Sequence, residues 1–141
     1  MNLREIILAT RKEIKENSQY KSILYWTLCS FIGVMAIKTI RFKHLHLSPI
    51  ANFLQGTLPN FFAGTGICSL IFIYYRTFQP KKNNLTERIF FSGIFSFAGL
   101  TLWEIIQWFM GYSIDIFDIG MTALGCILTS VFIFLVIQKN N

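Results

Sequence analysis

An acid and an amide interrupt an otherwise apolar segment in the second half of the chain. Glu104 and Gln107 lie three residues apart within LWEIIQWF (102–109), so on a helix they share a face. A carboxylate inside a bilayer costs about 2–3 kcal/mol on insertion scales, and an intramembrane acid indicates a functional site. Gln107 has a structural alternative, because amides form hydrogen bonds between membrane helices. Glu104 is therefore the leading candidate for a site residue.

Further polar residues are expected at the same depth on two neighbouring segments. Asn60 follows Pro59 at LPN (58–60), which we take as the outer start of a helix because proline is tolerated in a first turn. At a rise of about 1.5 Å per residue, Glu104 lies roughly 9 Å below the outer end of its own segment. The next segment begins with two acids, at 115 and 118. We predict a ligand-binding polar pocket formed by Asn60, Glu104, Gln107, Asp115 and Asp118.

Each of these residues also has a purely structural interpretation. Asp115 and Asp118 resemble a capping box, and carboxylates suit the positive N-terminal end of a helix dipole. For Asp115 the cap is the preferred interpretation, whereas for Asp118 capping and function stay open. Asn60 is alternatively a terminal hydrogen-bonding residue.

Composition places these residues in a membrane protein. Of the 141 residues 53% are hydrophobic and only 14% are charged, and the mean hydropathy is +0.50. A spanning helix needs about 20 mostly apolar residues. The sequence predicts an all-α integral membrane four-helix bundle, in one domain, with spans at about 23–40, 58–78, 89–110 and 115–137.

The distribution of basic residues predicts that both termini are cytoplasmic. Under the positive-inside rule, Lys and Arg concentrate beside the cytoplasmic ends of spans. Of the 13 Lys and Arg, only Lys38, Arg41 and Lys43 belong to the other side. The cytoplasmic set is Arg4, Arg11, Lys12, Lys15, Lys21, Arg76, Lys81, Lys82, Arg88 and Lys139. Tyr25, Trp26, Tyr74 and Tyr75 then mark the inner interface, and Trp103, Trp108 and Tyr112 the outer one.

The N-terminal residues 2–16 predict a short amphipathic helix. Leu3, Ile6, Ile7, Thr10 and Ile14 fall near one face. Such a helix lies in the membrane interface, or alternatively it is a solvated segment that only sets topology.

Small residues and cysteines inside the spans indicate close packing. Three pairs have small-xxx-small spacing, which lets helix backbones approach closely: Gly64 with Cys68, Ser92 with Ser96, and Gly125 with Thr129. Packing is likewise the preferred role for Cys29, Cys68 and Cys126.

No motif in the chain indicates an enzyme. We find no phosphate-binding loop, nucleophile elbow, zinc-protease motif or dinucleotide fingerprint, and we predict no cofactor and no metal. His44-x-His46 is a weak metal signal because residues two apart diverge on a helix. The basic link residues Lys38, Arg41, Lys43, His44 and His46 are counter-charges for the acids or contacts to lipid phosphates. Nucleic acid is not an expected partner, since the basic residues flank apolar segments.

The motif pattern resembles the VanZ-like proteins, a family of small helical proteins of bacterial membranes. The resemblance covers about residues 58–130 and consists of Asn60 with Gly64, Glu104-x-x-Gln107, and Asp118 followed by Gly125. The chain departs from the family at GYS (111–113), where an Arg is frequent, and at Thr122, where an Asn is frequent. The resemblance implies a multi-pass protein of the bacterial cytoplasmic membrane. Founding members are accessory factors in resistance to the glycopeptide teicoplanin.

The leading functional hypothesis is therefore a non-enzymatic cell-envelope factor. Its outer-leaflet polar pocket would bind a membrane lipid, a lipid-linked envelope precursor or a headgroup. Two alternatives are a small proton-coupled transporter that uses Glu104, and a structural membrane subunit whose polar residues only join helices.

Overall fold

The chain folds into helices throughout the part that the computed structural model describes, residues 3–42, 48–75 and 84–138. These residues form α1 (Leu3–Glu16), α2 (Ser18–Phe42), α3 (Pro49–Ile73), α4 (Leu85–Phe109) and α5 (Ile116–Gln138). The last four are long and apolar enough to cross a membrane. The predicted helical class and the four apolar helices are confirmed.

Helix α3 lies at the centre of the bundle. It packs extensively against α2 and α5, and less extensively against α4, whereas α1 packs on α2. It is also the most buried of the four long helices. Because α3 has neighbours on several sides, its side chains must be small where the helices cross.

Glycines provide the close approach between α3 and α5. A Cβ added at Gly64 would lie 2.6 Å from the carbonyl oxygen of Thr122, and one added at Gly125 would collide with the carbonyl oxygen of Phe61. All six residues of the predicted small-xxx-small pairs are buried, which confirms their packing role. Cys68 and Cys126 are buried as expected, but the packing interpretation is wrong for Cys29, which is exposed.

Buried hydroxyl groups join α2 and α3 across the middle of the bundle. The hydroxyls of Thr27 and Ser69 are 2.8 Å apart, as are those of Thr65 and Ser30. In a bilayer such groups must find partners within the protein. These contacts fix α2 against α3 in a region that has few large side chains.

An apolar core occupies the end of the bundle opposite the acids. Ile23, Phe72, Ile73 and Ile133 are buried there, and Ile14 of α1 packs against them. Thr10 of α1 is buried as well. Arg11, Lys12 and Lys15 of the same helix are exposed. Helix α1 therefore packs on the bundle through one face. The predicted short helix is present, and its place in the membrane interface stays a prediction.

The predicted start of the second span, at LPN, is wrong. Helix α3 begins at Pro49, where the Ser48 side chain accepts a hydrogen bond from the amide of Ala51, and Pro59 lies inside the helix. Pro59 therefore leaves the carbonyl of Gln55 without its usual amide donor. Asn60 lies about 16 Å along the helix from Pro49 rather than at its start.

The first turns of α3 nevertheless remain beside α5. The rings of Phe53 and Phe117 meet edge to face with centroids 5.3 Å apart. Since Phe117 lies in the first turn of α5, α3 starts earlier along the bundle axis than α5 does. Asn60 lies well inside α3, yet its side chain interacts with Asp118 in the first turn of α5.

Candidate ligand site at the turn between the fourth and fifth helices

A tight turn reverses the chain between α4 and α5 and places their polar residues side by side. The amide of Tyr112 donates to the carbonyl of Gln107 at 3.1 Å, and the amide of Gly111 donates to that of Trp108 at 3.0 Å. Gly111 has a φ of 93°, a left-handed conformation that suits glycine. This is the Schellman arrangement of a helix C-terminus.

Glu104 and Gln107 occupy the last turns of α4, directly before this turn. The side-chain nitrogen of Gln107 donates to Oε1 of Glu104 at 3.4 Å. Both side chains are half-buried, while the neighbouring Trp103 and Trp108 are exposed. The predicted pairing of acid and amide on one helix face is therefore present.

The two aspartates at the start of α5 have different surroundings. Oδ1 of Asp115 accepts a hydrogen bond from the amide of Phe117 at 2.9 Å, so Asp115 caps the helix, in agreement with the preferred interpretation. Asp118 lies near α3 instead, where its carboxylate interacts with the side chain of Asn60. Oδ1 of Asp118 is buried and has no hydrogen-bond partner within the described part of the chain.

Electrostatic interactions connect these pairs. The Glu104 carboxylate interacts with those of Asp118 and Asp115, which are like charges. Arg41, near the end of α2, acts on Asp118 as an opposite charge. This interaction agrees with the counter-charge interpretation of Arg41, but Arg41 is exposed, so contact with lipid phosphates stays the alternative.

For the other basic residues of this link, the structure describes no interaction with the acids. Lys38 is exposed, and Lys43, His44 and His46 lie outside the described residues. Among the residues that the structure describes, no group of three His, Cys, Asp or Glu side chains is placed to hold a metal ion.

We name Asn60, Glu104, Gln107, Asp115 and Asp118 the polar cluster. It combines an amide–acid pair on α4 with a second such pair between α3 and α5. Four of its members are half-buried and Asp115 is exposed, so the cluster lies at the surface of the bundle and is accessible from outside it. Its oxygen atoms are suited to accept hydrogen bonds from hydroxyl or ammonium groups.

A second charged site, at the opposite end of the bundle, is not evident from the sequence. Arg88 was assigned to the basic residues beside the spans, yet it is only 3% exposed. Its guanidinium donates to the carbonyl oxygens of Phe72 at 2.8 Å and Ile73 at 3.3 Å, and to the hydroxyl of Tyr20 at 2.6 Å. It also lies 4.3 Å from the ring centroid of Phe72. Arg88 thus binds the last carbonyls of α3.

Two of the aromatic residues that the sequence assigns to the inner interface, Tyr75 and Trp26, make contacts within the bundle. Tyr75 is buried and lies within 5.9 Å of the Arg88 guanidinium. The indole nitrogen of Trp26 donates to the hydroxyl of Thr129 at 3.1 Å, and its ring stacks on Phe132. Tyr75 therefore packs inside the bundle and Trp26 is half-buried against α5, and the depth of both in the membrane stays a prediction.

Two cavities lie away from the polar cluster. One, of about 200 Å³, is near Arg88, Tyr20 and Gln19. The other is an apolar groove of about 380 Å³ between α4 and α5. Residues that line it include Ile89, Gly93, Ile94 and Phe97 of α4 and Ala123 and Ile127 of α5.

Comparison of the chain with known protein families, with curated proteins and with solved structures gives no match. The resemblance to the VanZ-like proteins therefore rests on the motifs alone and stays a prediction.

Proposed function

We propose that this chain is a non-enzymatic factor of the bacterial cell envelope, a VanZ-like protein whose polar cluster binds the headgroup of a membrane lipid or of a lipid-linked envelope precursor. One observation carries the proposal: acids and amides from α3, α4 and α5 gather at one end of an otherwise apolar bundle. Glu104 and Asp118 are both near a like charge. Such an arrangement is costly in a membrane, and a ligand that donates hydrogen bonds would offset the cost.

The orientation that we propose puts the polar cluster in the outer leaflet of the cytoplasmic membrane. Ten Lys and Arg belong to the side of the termini, against three on the other. Arg88 belongs to this majority but is buried on α3, and without it the asymmetry is nine to three. The α4–α5 turn would then face outward, where envelope precursors are processed.

The test is a complementation experiment in a bacterium that carries this chain. Glu104→Ala and Asp118→Ala remove one acid from each pair, and both variants should insert normally yet fail to restore the envelope phenotype of a deletion strain, measured as teicoplanin susceptibility. Glu87→Ala is the matched control, because it removes an acid from the far end of the same helix. Full complementation by both cluster variants would contradict the proposal.

A structural role is the main competitor, because the cluster members interact in pairs. Gln107 donates a hydrogen bond to Glu104, and the side chain of Asn60 interacts with Asp118. If the cluster only joins helices, Gln107→Leu lowers the thermal midpoint and leaves the phenotype intact. If it binds a ligand, the same variant weakens the phenotype with little change in the midpoint.

A further inference from the structure

The apolar groove between α4 and α5 leads toward the polar cluster. On α4, Gly93 and Phe97 line the groove, and Glu104 follows Phe97 by seven residues, which places all three on one helix face. Along the axis, the groove begins about 10 Å from Glu104, at Phe97, and ends about 22 Å away, at Ile89. Glu104 therefore lies above one end of the groove.

The surroundings of the groove indicate what fills it. Ile94 and Ile127, on its two walls, are 66% and 60% exposed, and in a membrane-spanning bundle residues at this depth face hydrocarbon. Two small residues, Gly93 and Ala123, lie on opposite walls and leave room between the helices for an apolar chain. The groove is also nearly free of polar groups, so it offers nothing to a headgroup.

The end near Glu104 has the opposite chemistry. Three carboxylates, those of Glu104, Asp115 and Asp118, interact there, and Arg41 is the one cation that acts on Asp118 among the described residues. This excess of acceptors and negative charge complements an amine. The groove between α4 and α5 thus offers contacts to hydrocarbon along its length, and the acids of the polar cluster offer a site for a cation beyond one end.

We propose that the α4–α5 groove holds the hydrocarbon chain of a single amphiphile whose amine-bearing headgroup lies at Glu104. The inference rests on the proposed function, because it assigns a chain and a charge to the headgroup ligand of the polar cluster. Glu104 lies roughly 9 Å below the outer end of its helix and the groove ends about 22 Å further along, whereas half of a bilayer core is only about 15 Å thick. The ligand chain therefore reaches past the midplane and is long.

The experiment uses the intact chain in phosphatidylcholine nanodiscs and a photoreactive long-chain alkylamine with a diazirine at its middle carbon. Cross-linked residues are mapped by mass spectrometry. We expect adducts on groove residues such as Ile94 and Ile127, in a yield about tenfold higher than for the alcohol of the same chain length, a difference of about 1.4 kcal/mol.

Two pairs of variants separate the groove from the headgroup site. Gly93→Leu fills the groove, and we expect it to reduce these adducts about tenfold. Gly99→Leu is its matched control on the same helix, because a side chain at Gly99 meets nothing within 4 Å. Ala123→Leu fills the groove from α5, so the groove can still be tested if Gly93→Leu does not fold. Glu104→Gln should remove the preference for the amine over the alcohol.

The outcomes distinguish the two proposals. Retention of the amine preference in Gly93→Leu and Ala123→Leu, with unchanged adducts, overturns the groove assignment and leaves the headgroup site intact. Equal labelling of wild-type protein by the amine and the alcohol overturns the cationic headgroup and with it the joint site. Loss of groove adducts in the Gly99→Leu control shows that labelling follows general stability, and it also overturns the assignment.

Discussion

The charged residues at the two ends of the bundle are satisfied to different degrees. Arg88 donates to two carbonyl oxygens and one hydroxyl and lies over aromatic rings. Glu104 has a hydrogen bond of 3.4 Å to Gln107 and two like charges nearby. A buried cation with this many partners stabilises a fold, whereas an acid with so few is suited to receive a further partner.

Arg88→Lys should destabilise the protein by about 3 kcal/mol. A lysine carries one ammonium in place of the planar fork, so it cannot reach both terminal carbonyls of α3 and the Tyr20 hydroxyl together, and a hydrogen bond to a charged group contributes about 1.5–3 kcal/mol. Unfolding in mixed micelles measures the change. Arg11→Lys, at an exposed position of α1, is the control and should stay within about 0.5 kcal/mol of wild type. Equal stability of the two variants would argue against the role of Arg88.

The hydrogen bond between Trp26 and Thr129 makes a smaller contribution. Thr129→Val keeps the shape of the side chain and removes the acceptor of the indole N–H, together with the 3.5 Å hydrogen bond that the hydroxyl donates to the carbonyl of Thr65. The free energy of unfolding should fall by about 0.6–1.7 kcal/mol, between the average and the maximum measured for such bonds in a membrane bundle. A double-mutant cycle with Trp26→Phe isolates this bond. A coupling energy near zero in that cycle would show that ring stacking on Phe132, rather than the bond, holds Trp26.

For single residues, the sequence predicts correctly those positions that depend only on helix geometry. The shared level of Glu104, Asp115 and Asp118 follows from the rise per residue and from the short turn between them. The burial of Arg88 does not follow, because it depends on where the last carbonyls of α3 and the ring of Tyr20 lie in space. The sequence likewise does not show which basic link residue lies near Asp118, because this also depends on the fold. The structure shows that Arg41 does.

At the scale of the helices, the sequence locates three spans closely and misplaces the start of one. Helices α2, α4 and α5 contain continuous apolar runs, so hydropathy identifies them. Helix α3 begins with Pro49 and a serine cap at Ser48, but its first turns carry Asn52, Gln55 and Thr57 and read as a polar link. Pro59 therefore resembles the first-turn proline of a helix. The helix nevertheless continues on both sides of Pro59, because packing of α3 against its neighbours outweighs the local preference of proline.

The contact between α3 and α5 should depend on a single missing methyl group. Gly125→Ala would drive a Cβ into the carbonyl oxygen of Phe61, and overpacking of this kind costs about 1–3 kcal/mol. Gly120→Ala is a matched control on the same helix, since a Cβ there meets nothing within 4 Å, and it should be neutral or slightly stabilising. Thermal midpoints of the two variants in detergent test the prediction, and a Gly125→Ala variant as stable as Gly120→Ala would contradict it.

For the molecule as a whole, the two ends of the bundle differ in kind. One end has a core of large apolar residues around Phe72 and Ile133, closed by α1 and Arg88. The other end has the polar cluster and exposed aromatic residues of the α4–α5 turn. The first end therefore contains most of the apolar core, and the second contains the proposed ligand site. If that proposal is right, the orientation of the bundle decides which compartment the ligand comes from.

Labelling of single cysteines in intact cells tests that orientation. In a Cys29→Ala background, with the buried Cys68 and Cys126 left in place, Tyr112→Cys lies in the α4–α5 turn and Lys12→Cys in α1, and both positions are exposed. The positive-inside rule predicts that a membrane-impermeant maleimide labels Tyr112→Cys in intact cells and labels Lys12→Cys only after permeabilisation. The background protein without either new cysteine should stay unlabelled. The reverse pattern would put the polar cluster in the cytoplasmic leaflet, and a lipid precursor presented at the outer face would then no longer be a candidate ligand.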